Sequence, residues 1–160
     1  MTLEPLLSAS PAIHIHVVAV VTSALLGAYV LFRRKGTRLH RLLGNIWLLL
    51  MAVGALSSFF IYKLNVFHGF SPIHLLSVFV LYSCVQAIVS ARRHDIARHR
   101  RAVLGLYFGG IGGAGAFTLL PHRIMNAVVF TGHETMPLLL LVAMALFLGW
   151  AAWGARSIPV

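Results

Sequence analysis

Nine histidines stand in a chain of 160 residues that holds only three acids, Glu4, Asp95 and Glu134. An imidazole can hold a metal through either ring nitrogen and can carry protons near neutral pH. Two of the nine lie in matched basic collars. In "TRLHRLLGN", Thr37 to Asn45, His40 is followed directly by Arg41, and 59 positions after His40 the stretch "DIARHRRAVLG" sets His99 beside Arg100. Both collars open apolar runs, so the chemistry they suggest is that of a cofactor held at the edge of a membrane.

The elements that must position these residues follow from composition. Hydrophobic residues make up 59% of the chain and charged residues 10%, against about 25% charged in ordinary soluble domains. Runs of about 20 apolar residues are long enough to cross a bilayer as helices. We read an all-α membrane protein, one transmembrane domain over residues 1–160, with five transmembrane helices near 12–32, 40–61, 72–91, 102–120 and 136–154. The first run lacks a basic leader and is followed by "RRK" instead of a small-residue cleavage site, so it reads as a span and not a signal peptide. A glycine-rich re-entrant segment is the alternative for the fourth.

A net charge of +10 could suggest nucleic acid, but its distribution points elsewhere. Arg33, Arg34, Lys35, Arg38 and Arg41 lie between spans one and two. Arg92, Arg93, Arg98, Arg100 and Arg101 lie between spans three and four, whereas the other two connections hold only Lys63 and Arg123. This is the positive-inside pattern. It predicts a multi-pass membrane protein with its N-terminus outside and its C-terminus cytoplasmic. The basic charge then meets anionic lipid of the bilayer, and no nucleic acid is expected as a partner. Cys84 is a lone cysteine inside the third span, and without a CxxCH motif covalent c-type haem is excluded.

Shifting the chain by 59 lays His40-Arg41 over His99-Arg100 and Val53–Ala55 over Gly112–Ala114; a shift of 58 lays His16 over His74. We read a duplicated helical hairpin, repeat 1 near 12–61 and repeat 2 near 72–120, forming a four-helix bundle with 136–154 as one peripheral helix. Equivalent residues of such repeats face each other across the axis. His16 then opposes His74 near the outer surface, and His40 opposes His99 near the inner one. Seventeen residues from His16 to Arg33 separate the two levels by roughly 25 Å of helix.

Two opposed imidazoles are what a six-coordinate b-type haem requires, one nitrogen on each face of the iron. The expected ligands of one or two haems are His16, His74, His40 and His99. Arg41, Arg100 and Arg123 would meet the haem carboxylates, since a guanidinium forks onto a carboxylate. His14 competes with His16, but the two are two residues apart and point in opposed directions. The fourth span has six glycines in "GLYFGGIGGAG", whose Gly105–Gly109–Gly113 spacing marks close helix packing. Gln86, Ser77, Thr22 and Ser23 read as interhelical hydrogen-bonders.

A rival reading is a copper or zinc site on the outer face, gathered from His14, His16, His68, His74, His122 and His133. The connection 121–135 would then carry two of the ligands, along a short amphipathic surface helix. A structural or assembly subunit of a larger membrane complex is the third. The scarcity of acids excludes a di-iron carboxylate centre, and no Walker loop, GxSxG or HExxH motif occurs. Enzyme activity is open; the form that suits the haem reading is an oxidoreductase passing electrons between a quinone or a redox partner protein and an acceptor. Self-association through the glycine-rich fourth helix or the fifth helix fits the same composition.

At "LHRLLGNIW", "ARRHDIARHRR" and "LLPHRIMN" the chain resembles a bacterial family of small predicted polytopic membrane proteins, a domain of unknown function with HR..G motifs. The resemblance runs from about His14 to Arg123. It implies about five helices and an inner-membrane location, with His14 or His16, His40, Arg41, His74, His99, Arg100 and Arg123 at the family's positions. A looser likeness, of architecture only, is to cytochrome b561-type diheme four-helix cores, from which this chain departs in helix count and in histidines per helix.

Overall fold

A computed structural model describes residues 4–61, 72–119 and 126, and every regular element among them is helical. Helix α1 (Pro11–Phe32) starts on a proline, whose missing N–H costs nothing in the first turn. It ends where Arg33 turns extended. Lys35 folds back and donates to the carbonyls of Leu31 and Arg33, groups that the helix end leaves open. Gly36 takes a positive φ of 80°, and Thr37 then caps α2 (Arg38–Ser58) by accepting from the His40 N–H at 3.0 Å. The cap starts α2 two residues before the expected 40, which puts the first collar on the helix itself.

Helix α3 (Pro72–Arg92) again starts on a proline. Its end is a Schellman turn: His94 N–H bonds the Ala91 carbonyl at 3.2 Å, and Asp95 N–H bonds that of Ser90 at 3.0 Å. His94 supplies the left-handed residue, with φ 57°. Asp95 then caps α4 (Ile96–Leu104) by accepting from Arg98 N–H at 2.9 Å. The fourth helix therefore starts well before the expected 102, and the second collar lies on its first turns. The chain continues through a π-helical stretch, Gly105–Gly112, into α5 (Gly113–Thr118). The backbone is helical from Ile96 to Thr118, with no re-entrant turn.

Each helix packs on the next, and α1 closes on the π-helical stretch. This ring sets α1 and α3 on one diagonal and α2 and α4 on the other. Trp47, Leu48, Met51 and Ala55 of α2 form the core with Val80, Cys84 and Ala87 of α3 and Leu106 of the π stretch. Glycine permits the closest approaches. A Cβ on Gly109 would lie 3.2 Å from the Phe79 ring, and one on Gly110 would lie 3.1 Å from Val80. Two of the three spaced glycines, Gly109 and Gly113, face side chains of α3. Helices α1 to α4 and the π-helical stretch lie in a compact unit, Ala9–Gly115. The short helix Glu4–Leu7 belongs to a second unit.

The packing is inverted relative to a water-soluble bundle. Val18, Leu25, Phe32, Leu49, Leu75 and Tyr82 point outward, while Ser23, Ser57, Ser58, Ser77, Ser83 and Ser90 are buried. Small polar residues inside and large apolar ones outside suit helices surrounded by lipid. Among the described residues three helices, Pro11–Phe32, Arg38–Ser58 and His74–Arg92, are long and apolar enough to cross a membrane. Ser77 bonds Ser58 across the α2–α3 interface at 2.6 Å, as an interhelical hydrogen-bonder should. Ser23 does not. Its hydroxyl donates to Val20 of its own helix at 2.9 Å, because backbone carbonyls three residues back are the nearest acceptors for a buried helical serine. The proposed fifth span 136–154 and the connection 121–135 lie outside the described residues, residue 126 apart.

Candidate functional site

The collar histidines share one end of the bundle. His99, in the first turns of α4, donates from Nδ1 to the Ala87 carbonyl of α3 at 2.9 Å. With that nitrogen protonated, Nε2 keeps its lone pair. A ring fixed by a carbonyl in this way is the usual arrangement behind a metal-ligating histidine. His40 lies within electrostatic range of His99, Lys35 and Arg33. Its Nδ1 is buried without a hydrogen-bond partner.

The face of α2 above His40 is open. Gly44 and Trp47 follow His40 at four and seven residues, hence on one side of the helix. A Cβ on Gly44 would meet nothing within 4 Å. Trp47 is 2% exposed and its indole Nε1 has no partner, as is true of Arg33 Nε. Buried polar nitrogens are nearly always satisfied, so these unpaired nitrogens are a feature to explain, although Trp47 Nε1 lies in the core, turned toward Gly27 of α1. From His40 to Gly44 the open face runs roughly 6 Å along the helix axis.

Toward the opposite end, His16 of α1 donates from Nδ1 to the Gly54 carbonyl of α2 at 2.8 Å, with Ser57 Oγ at 3.2 Å. Its Nε2 is thereby also the free nitrogen. His74 of α3 is 7% exposed and stacks on Phe59, at the end of α2, with ring centroids 5.4 Å apart and planes 6° from parallel. His16 and His74 thus flank the last turns of α2 from helices on one diagonal. His14 is exposed, and half-buried His16 is the one turned against α2.

Arg41 and Arg100 are exposed at the collar end, and the structure does not bring them to the open face of α2. Helix periodicity explains this: each follows its histidine by one residue, about 100° around the helix. Arg33, which no motif marked, stands within electrostatic range of His40. Arg123, His68, His122 and His133 lie outside the described residues, and among the described residues no group of three or more His, Cys, Asp or Glu side chains gathers for a metal ion.

A family model of predicted membrane proteins of unknown function, DUF2306, matches residues 13–153. The chain belongs to this family. No curated protein and no solved structure matches it. For this DUF2306 member the match takes in both collars and the described helical bundle. Membrane embedding and contact with lipid follow from the family and from the outward apolar faces.

Proposed function

We propose that this DUF2306 protein is a b-type cytochrome-like carrier that holds haem between His40 and His99 at the collar end and between His16 and His74 at the other. The observation that carries the reading is the pair of carbonyl bonds, His99 to Ala87 and His16 to Gly54. Both leave Nε2 as the ligating atom and raise its basicity. The residues around His40 suit a flat group with acceptor edges. Gly44 leaves room, and the Arg33 guanidinium, within electrostatic range of His40, carries an N–H donor that lacks a partner. Haem bound there would supply one-electron transfer. The chain itself orients the imidazoles, keeps the pocket apolar and neutralises carboxylates. The duplicated hairpin accounts for why ligands would recur on both diagonals, and the collar end would be the cytoplasmic one.

An absorption spectrum of the detergent-purified protein, followed by haem titration of the colourless fraction, tests this. The expected result is a Soret band that sharpens on reduction, with saturation at one or two haems per chain. A chain that takes up no haem, or takes it up unchanged when both His16 and His99 are replaced by alanine, overturns it.

A further inference from the structure

On the lipid-facing side, the seam between α3 and α4 opens into a cleft of about 500 Å³. Arg98 and Arg101 stand at its collar end, one turn apart on α4, with Asp95 beside them. Phe79 and Tyr82 of α3 line its deeper part, and Tyr82 is 60% exposed. Between them Gly105 begins the π-helical stretch, and a Cβ there would meet nothing within 4 Å. Such π segments recur at functional sites. Arg98 to Gly105 covers roughly 10 Å of rise, so one groove joins a charged rim to an aromatic, side-chain-poor trough.

We propose that this cleft binds one anionic glycerophospholipid. Two guanidiniums and one carboxylate leave a single net positive charge at the rim, which matches a headgroup of net charge −1. A guanidinium fork grips a phosphodiester through two N–H donors. The trough past Gly105 takes the start of an acyl chain against Phe79 and Tyr82, and Gln86 and Ser83 on the wall reach the ester oxygens. The charge pattern sets the source: ten of the thirteen Lys and Arg residues lie in the two collar connections, and basic collars face the leaflet rich in anionic lipid. A zwitterionic lipid brings a second positive charge to the same arginines and is disfavoured. The site is independent of haem.

Native mass spectrometry and thermal unfolding of the full chain in detergent test it, with phosphatidylglycerol, phosphatidylcholine and inorganic phosphate as probes. The expected result is one retained phosphatidylglycerol and a raised unfolding temperature with that lipid alone. R98Q/R101Q should weaken its binding about 30-fold, from roughly one arginine-headgroup attraction per residue. R34Q/R93Q, at the same end but outside the cleft, should leave it unchanged. Gly105→Leu fills the trough without altering charge and should also weaken binding. Wild-type lipid affinity in both R98Q/R101Q and Gly105→Leu overturns the proposal. So does equal stabilisation by phosphatidylcholine or by phosphate alone. A dimer that Gly105→Leu dissociates while lipid affinity stays constant also overturns it, and assigns the cleft to a second copy of the chain.

Discussion

His99 and Ala87 are joined by a 2.9 Å hydrogen bond from the imidazole Nδ1 to a backbone carbonyl on the neighbouring helix. No side-chain substitution at Ala87 can remove that acceptor, so the ring orientation is built into the α3–α4 pairing. On the proposed haem reading, the two levels are separable. His99→Ala should abolish the haem at the collar end and keep the one near His16, so the haem content of the purified variant falls to about half of a two-haem wild type. Reduced-minus-oxidised spectra with haem quantification check this. Equal loss from both levels, or no loss, contradicts two distinct sites.

The two glycines Gly27 and Gly44 should respond oppositely to alanine. A Cβ at Gly27 would lie 2.5 Å from Trp47 Nε1 and 2.9 Å from the Tyr107 ring. Tyr107 is held in place by its bond to the Ala24 carbonyl at 3.1 Å. Gly27→Ala should therefore destabilise the bundle by about 1–3 kcal/mol, since overpacking outweighs the helix-propensity gain. Gly44→Ala meets open space and should stabilise the helix by up to about 1 kcal/mol. Gly44→Leu then reports on the cofactor: it should preserve the fold and lower haem content at the collar end. Thermal unfolding and spectra of the three variants provide the comparison.

The sequence displayed some of this directly. Apolar runs marked α1, α2 and α3 within about three residues of their observed ends, because lipid imposes length and composition together. The start of α4 was hidden, since "IARHRRA" looks like a solvated connection and only the Asp95 cap marks a helix start. The π-helical stretch has no periodic signature among so many glycines. At the site, the internal matches marked His16, His40, His74 and His99, but not the hydrogen-bond partners of His16 and His99. The acceptors at Gly54 and Ala87 are backbone carbonyls, which no side-chain motif reports. Arg41 and Arg100 stood out because they adjoin histidines, and adjacency on a helix means different faces.

His94 holds a left-handed conformation, φ 57°, between α3 and α4. That region costs a residue with a Cβ about 1–2 kcal/mol, whereas glycine enters it freely and instead gives up about 0.5–1 kcal/mol of unfolded-state freedom. His94→Gly should therefore stabilise the chain by about 0.5–1 kcal/mol. The spectrum should not change, because His94 is exposed and belongs to neither pair. Chemical or thermal unfolding alongside a haem spectrum checks both halves; a lost haem band would place the register of the collar in error.

Ser58 and Ser77 share a 2.6 Å hydrogen bond between α2 and α3, one turn from His74, and Ser58 also donates to the Ala55 carbonyl at 2.7 Å. The two hydroxyls thus tie α2 to α3, and either Ser58→Ala or Ser77→Ala removes the interhelical bond. Bonds of this kind in membranes couple by about 0.6 kcal/mol and rarely above about 1.7 kcal/mol, because unfolded helices in lipid also find partners. A double-mutant cycle on unfolding free energies should return a coupling in that range. A coupling near zero would mean that apolar packing of α3 on α2, and not this polar seam, fixes the depth at which His74 stands.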